Sequence, residues 1–243
     1  MHYYTFIKNK YSQNGEDGIL EQLIKELGLN IPDMWVVDVG AYDGIAYSNV
    51  RHLINQGCHA VMIEPSLVGG ACEPKYLSLQ DLPQVYPNVI ALNHFTAISD
   101  KAKVDAGYAG CKAMHENCDI FYFNAEIKTL DESLAQVKQF SSNYDILNID
   151  IDSYDHEIWE EHKLSPKIVI IEINSGLAPA EQDNKSKGYS FMDSLKVGIN
   201  KGYSCVCHTG NMIFVRNDLL AHLSIPKDQI NSIKLFNNKW YGQ

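Results

Sequence analysis

The chain has 243 residues, 45% hydrophobic and 21% charged, with a formal net charge of −10. That composition is ordinary for a globular domain with a sizeable core and sets aside a disordered or fibrous chain. The acidic balance, without any run of lysines or arginines, argues against nucleic acid or an anionic membrane as the main partner.

The order of elements begins without clear periodicity over residues 1–11. Ser12-Gln13-Asn14-Gly15-Glu16-Asp17 then reads as a helix entry, with polar capping groups followed by acids in the first turn. Ile19, Leu20, Leu23, Ile24 and Leu27 follow at helical spacing, and Gly28 suits the stop. The apolar stripe explains an amphipathic helix. The polar cluster ahead of it, Gln13 and Glu16 in particular, is open to a ligand role or a capping one.

Val36 to Val39 reads as a buried strand, followed by the turn Gly40-Ala41-Tyr42-Asp43-Gly44 and a helix expected from Tyr47 to Ile54. A strand, a glycine turn and a helix make a small-molecule cleft at the strand's carboxyl end. This turn is acidic, through Asp38 and Asp43, and lacks the close glycine spacing of a dinucleotide turn. A cofactor with a positive centre and ribose hydroxyls but no phosphate suits it, and S-adenosylmethionine is such a molecule. Ala60 to Ile63 reads as the next strand. It ends on Glu64, at the distance where an α/β nucleotide-binding unit carries the carboxylate that holds ribose hydroxyls.

Residues 66–87 read as a loop with a short helical middle over 76–82, and Val89 to Asn93 as a third strand with an extended continuation over 96–100. Residues 101–126 are illegible beyond an aromatic cluster, Phe121-Tyr122-Phe123, which suits packing better than substrate stacking. A helix is expected over Thr129 to Phe140. Asp145 to Asp152 reads as a buried strand ending in acids, with Asp150 and Asp152 on one face. Ile168 to Ile173 reads as a further strand in which Glu172 and Asn174 share a face. A polar loop over 177–189, a helix over Phe191 to Ile199, and two strands, Tyr203 to Cys207 and Met212 to Val215, around His208-Thr209-Gly210-Asn211 complete the series.

Strand and helix alternate, so a mainly parallel sheet with helices on both faces is expected, closed at one edge by an antiparallel hairpin. One domain over 1–243 is expected, with 1–30 as an N-terminal helical extension and 217–243 as a C-terminal tail. The six cysteines (58, 72, 111, 118, 205 and 207) show no zinc spacing. Cys205 and Cys207 are expected on one side of a strand, as reduced thiols of a cytoplasmic protein. No leader peptide or membrane-spanning run is expected from the opening residues or the hydropathy.

The ordered set Ser12-Gln13-Asn14-Gly15-Glu16-Asp17-Gly18, Val37-Asp38-Val39-Gly40-Ala41-Tyr42-Asp43-Gly44, Ser48-Asn49, Thr129-Leu130-Asp131 and Leu147-Asn148-Ile149-Asp150-Ile151-Asp152 resembles the segments of the FkbM-type methyltransferases. His208-Thr209-Gly210-Asn211, leading into Ile213-Phe214-Val215-Arg216, is similar to that family's closing strands. The likeness covers residues 11 to 217. It departs from the family where Asp152-Ser153-Tyr154-Asp155 stand in place of a single acid followed by Val or Ile, Glu and Gly.

The resemblance implies a Rossmann-like class I methyltransferase fold with a seven-stranded, mostly parallel sheet. It also implies methyl transfer from S-adenosylmethionine to a sugar hydroxyl, such as that of a deoxyhexose like rhamnose or fucose, in a glycan or glycoconjugate. Cofactor contacts are expected from Gln13, Glu16, Asp38, Gly40, Ala41, Asp43, Gly44, Asn49, Glu64 and Asp150. A sugar hydroxyl is weakly acidic, so a general base is expected, with Asp152 first and His208 second. Oxygen ligands on Asp150, Asp152 and Glu172 suit Mg2+ or Mn2+, against the alternative that Glu172 and Asn174 simply cap their strand. An NAD-dependent oxidoreductase and a non-catalytic nucleoside-binding domain of a larger glycosyltransferase-containing polypeptide are the alternatives.

Overall fold

The computed structural model describes residues 2–65, 79–100, 126–151, 154–180, 188–237 and 239. Its centre is a seven-stranded sheet built from β1 (Trp35–Val39), β2 (His59–Ile63), β3 (Val89–Leu92), β6 (Ile146–Ile149), β7 (Ile168–Glu172), β8 (Tyr203–His208) and β9 (Asn211–Arg216). The spatial order is β3-β2-β1-β6-β7-β9-β8. The first five of these strands run parallel, and β9 pairs antiparallel with both β7 and β8. This is the expected Rossmann-like arrangement, a seven-stranded, mostly parallel sheet closed by an antiparallel hairpin. The order reverses direction beside β1, so a crevice opens between the carboxyl ends of β1 and β6. Two short strands, β4 (His94–Thr96) and β5 (Glu126–Lys128), pair parallel in a separate sheet.

The parallel strands are buried on both faces, as their near-continuous Val, Ile and Leu runs require. Val37, Val39, Leu147, Ile149, Val169 and Ile171 face one core, with Trp159, Phe191 and Phe214. Val36, Ile146, Ile168 and Ile170 face the other, with Ile19, Leu20, Leu23, Leu53 and Ile54. The second core is covered by α1 (Glu16–Glu26) and α2 (Arg51–Ile54). The first is covered by α4 (Leu130–Leu134), α5 (Asp155–Glu161) and α6 (Phe191–Asn200), α3 being the short helix Leu82–Val85. Burying one such aliphatic side chain contributes about 1.5–3 kcal/mol, so the two cores carry most of the sheet's stability.

Three expectations are corrected. The helix expected from Tyr47 begins at Arg51, because Tyr47 has a left-handed φ of 59° and the Ser48 hydroxyl accepts the N–H groups of Val50 and Arg51. The helix expected over 129–140 ends at Leu134. Its start is the reciprocal capping box of Thr129 and Glu132. Cys205 and Cys207 do not share a face, because a bulge between them shifts the register. Cys205 packs into the first core and Cys207 into the second, and burial pushes both thiols up. Among the described residues, no helix is long and apolar enough to cross a membrane. Cysteines 72, 111 and 118 and the cluster 121–123 lie outside the described residues.

Candidate functional site

The turn after β1 is held open by its backbone. Gly40 has φ +82°, and a Cβ there would sit 1.8 Å from the carbonyl oxygen of Asp150. Only glycine lets the ends of β1 and β6 approach this closely. The Gly40 and Ala41 N–H groups both donate to the Ile63 carbonyl, at 3.0 and 3.3 Å, which ties the turn to the end of β2. Glu64 completes that tie, accepting the Tyr42 N–H at 3.0 Å through Oε2. Gly44 also has a left-handed φ of +71°, and Leu82 and Leu79 would meet any side chain added there.

Two buried carboxylates lie beneath. Asp43 is 1% exposed. Its Oδ1 accepts the Ile45 and Ala46 N–H groups at 2.8 Å each, while the buried Oδ2 has no hydrogen-bond partner among the described residues. Asp38 is 2% exposed and stands in register with Asn148 of β6. Asn148 Nδ2 donates to Asp38 Oδ1 at 2.7 Å, Ser48 Oγ lies 3.4 Å from Oδ2, and Asn49 Nδ2 donates to Asn148 Oδ1 at 2.9 Å. Burial pushes the Asp38 carboxyl up to about 6, and the Asn148 and Ser48 hydrogen bonds offset only part of this. Asn49 therefore orients the amide that orients Asp38.

The acids of the N-terminal cluster make buried contacts within the protein. Glu16 is fully buried and accepts from Thr209 Oγ1 (2.8 Å) and the Asn14 N–H (2.9 Å), with burial raising its carboxyl. Asp17 is also fully buried, its Oδ2 accepting the N–H groups of Lys10, Tyr11 and Ser12 at 2.7–2.9 Å and the Ser12 hydroxyl at 2.9 Å. His52 Nδ1 lies 2.5 Å from Asp17 Oδ1. Burial works against that charge, but His52 and the backbone donors outweigh it and hold the carboxyl well below the usual range. These acids fasten the N-terminal segment to α2 and to the β8–β9 turn. Gln13 is exposed, and its carbonyl accepts from Asn9 Nδ2 at 2.9 Å.

His208 is fully buried, and both of its ring nitrogens are used within the protein. Nδ1 accepts the Asn237 N–H at 3.0 Å, so Nε2 carries the proton and donates to Ser175 Oγ at 2.8 Å; Ser175 in turn donates to the Gly210 carbonyl. The ring stacks on Phe236 at 4.9 Å, and burial lowers its pKa to about 4. The general-base expectation for His208 is corrected on this geometry: no lone pair is presented to a substrate.

Asp150 follows β6, its N–H donating to the Val39 carbonyl at 3.0 Å, and Glu172 ends β7. They come next after the paired residues Ile149 and Ile171 on neighbouring strands. Among the described residues no three His, Cys, Asp or Glu side chains gather as a metal ligand set. Asp152 lies outside the described residues.

The donor set fits a nucleoside cofactor without phosphates. Glu64 at the end of β2 suits hydroxyl donors, with the buried carboxylates of Asp38 and Asp43 beneath the turn. They would repel a pyrophosphate. The signal missed in the sequence was the pairing of Asp38 with Asn148, which alternation along both strands could have revealed.

No protein-family model and no curated protein matches the chain. Among solved structures, a "putative hemolysin" from Lactococcus lactis is 15% identical, over 86% of this chain and 90% of its own, with a TM-score of 0.41. A SAM dependent methyltransferase from Aquifex aeolicus is 13% identical, over 80% of this chain and 86% of its own, with a TM-score of 0.40.

Proposed function

We propose that the chain is an S-adenosylmethionine-dependent O-methyltransferase acting on a sugar hydroxyl of a glycan or glycoconjugate. The observation that carries this reading is the acidic turn at the switch point of the sheet. There Asp43 has a buried oxygen without a partner among the described residues, and Asp38 sits where burial opposes its charge. Carboxylates in such a place favour a cationic ligand over an anionic one.

When bound, the cofactor supplies an electrophilic methyl group on a sulfonium. Glu64 is suited to accept ribose hydroxyls while its Oε2 holds the Tyr42 amide. Gly40 and Gly44 let the turn pack against Asp150 and against Leu79 and Leu82, which fixes its shape beneath the cofactor. Gln13 and Ala41 stay in the reading as contacts at the rim of the turn. Glu16 and Asn49 act behind it, by fixing the N-terminal segment and Asn148.

The acceptor hydroxyl must line up with the methyl group and lose a proton as its oxygen attacks. Asp152 is the base in this reading, with Asp150 and Glu172 disposed to hold a divalent ion that would acidify the hydroxyl. The test is transfer of labelled methyl groups to a panel of methyl pyranosides, with and without a chelator, for the wild type and Asp152→Asn. Acceptor-dependent labelling that falls at least ~100-fold in Asp152→Asn supports the assignment. Unchanged labelling in that variant removes Asp152 as base, and activity that survives thorough chelation removes the metal.

A further inference from the structure

Every described partner of the Asp38 carboxyl is a donor. Asn148, in register with it on β6, donates through Nδ2 to Oδ1 at 2.7 Å. The reverse orientation of that amide is closed off, because Asn49 Nδ2 donates to Asn148 Oδ1 at 2.9 Å. On the other side, the Ser48 hydroxyl accepts the N–H groups of Val50 and Arg51 and so turns its proton towards Asp38 Oδ2, 3.4 Å away. Asp38, Asn49 and Asn148 are all buried. A carboxylic O–H in this position meets only donors, whereas a carboxylate satisfies each of them. The relay from Asn49 through Asn148 therefore favours the anion, against the effect of burial.

The other groups around Asp38 do not take over that task. Met62 of β2 is its register partner on the side away from β6. The buried charged groups on the turn and helices covering this face are Asp43, Glu16 and Asp17 of α1, and Arg51 and His52 of α2, with Asp17 paired to His52. Among the described residues none of these side chains hydrogen-bonds Asp38.

We propose that Asn49 is a positioning residue that keeps Asp38 anionic at neutral pH, so that the crevice favours the sulfonium of S-adenosylmethionine over the neutral thioether of S-adenosylhomocysteine. This rests on the methyltransferase reading above. The two ligands share their nucleoside, amino and carboxylate groups and differ by one methyl group and one positive charge. Groups that titrate on both ligands cancel in the ratio of their affinities, which leaves the response to the added charge. By linkage, binding of the sulfonium and ionisation of Asp38 reinforce each other.

Isothermal titration of the full chain with each ligand, from about pH 5 to about pH 7.5, tests this. The affinity ratio of S-adenosylmethionine to S-adenosylhomocysteine should rise by about tenfold, with a midpoint at about 6, where burial places the Asp38 carboxyl. In Asp38→Asn the ratio should stay flat. Asn49→Leu frees Asn148 to turn its carbonyl towards a protonated Asp38, so the midpoint should move up by about one pH unit. Should Asn49→Leu not fold, carboxyl-carbon NMR of the wild type, with Asp38 assigned from Asp38→Asn, reads the same coupling. S-adenosylmethionine should lower the Asp38 midpoint, and S-adenosylhomocysteine should leave it in place. If the wild type binds neither ligand, the methyltransferase reading falls together with this one. If both bind with a ratio that ignores pH, or that responds equally in Asp38→Asn, this inference alone is overturned. A folded Asn49→Leu with the wild-type midpoint would overturn the positioning role.

Discussion

Asp38 keeps a carboxylate where burial disfavours one. Its pKa of about 6, against an ordinary 3.8, means that the native state holds the proton more tightly than the unfolded chain. The stabilisation is complete below about pH 3.8 and is lost as pH rises through about 6, at a cost on the order of 3 kcal/mol. Asp38→Asn should therefore raise the melting temperature at pH 8 and leave it little changed at pH 3.5, measured by thermal unfolding at both. It should also weaken S-adenosylmethionine binding at pH 8, where the wild-type carboxylate is charged. A variant that destabilises at pH 8 would show that the charge is structural.

Gly40 makes a second residue-scale test, because an added Cβ would strike the Asp150 carbonyl at 1.8 Å. Gly40→Ala should cost about 2–4 kcal/mol in denaturant unfolding, whereas Gly57→Ala, with nothing within 4 Å of an added Cβ, should cost only the left-handed strain of about 1–2 kcal/mol.

At the scale of elements, the N-terminal segment, the β8–β9 hairpin and the C-terminal segment are fastened at one corner. Thr209 donates to Glu16, Tyr4 donates to the carbonyls of His208 and Leu235, and His208 accepts from Asn237. His208→Ala should destabilise by about 2–4 kcal/mol and leave the pH profile of any residual turnover unchanged; a profile that loses its basic dependence would restore the general-base role. Asp17 makes the parallel case for α1 and α2. Its carboxyl is held below the ordinary range, so its stabilisation is present above about pH 3.8 and is lost as pH falls further. Asp17→Asn should cost about 3 kcal/mol at pH 7 and progressively less below pH 3.8.

These acids mark where the sequence was hardest to read. Gly15-Glu16-Asp17 has the composition of a helix entry and of a ligand site alike. Only long-range partners, Thr209 for Glu16 and His52 for Asp17, separate the two. The late start of α2 and the bulge at Cys205–Cys207 depend on local hydrogen bonds and register that hydrophobic periodicity does not encode.

At the scale of the whole molecule, the strands were legible because parallel strands covered on both faces need unbroken apolar runs. Those runs also fixed which residues end at the crevice. The hairpin was legible from its alternation. The turn's own residues were legible and Glu64 is tied to it through the Tyr42 amide, while Asn148 entered only through the β1–β6 register. Base and metal residues were the least legible, since Asp152 lies outside the described residues and His208 is locked into the fold.

The central claim is that this crevice takes a nucleoside cofactor without phosphates. Isothermal titration of the full chain with S-adenosylhomocysteine and, separately, with NAD tests it most directly. The account predicts micromolar affinity for S-adenosylhomocysteine (on the order of −8 kcal/mol) and no binding of NAD. Binding of NAD alone would contradict it and move the chemistry to hydride transfer.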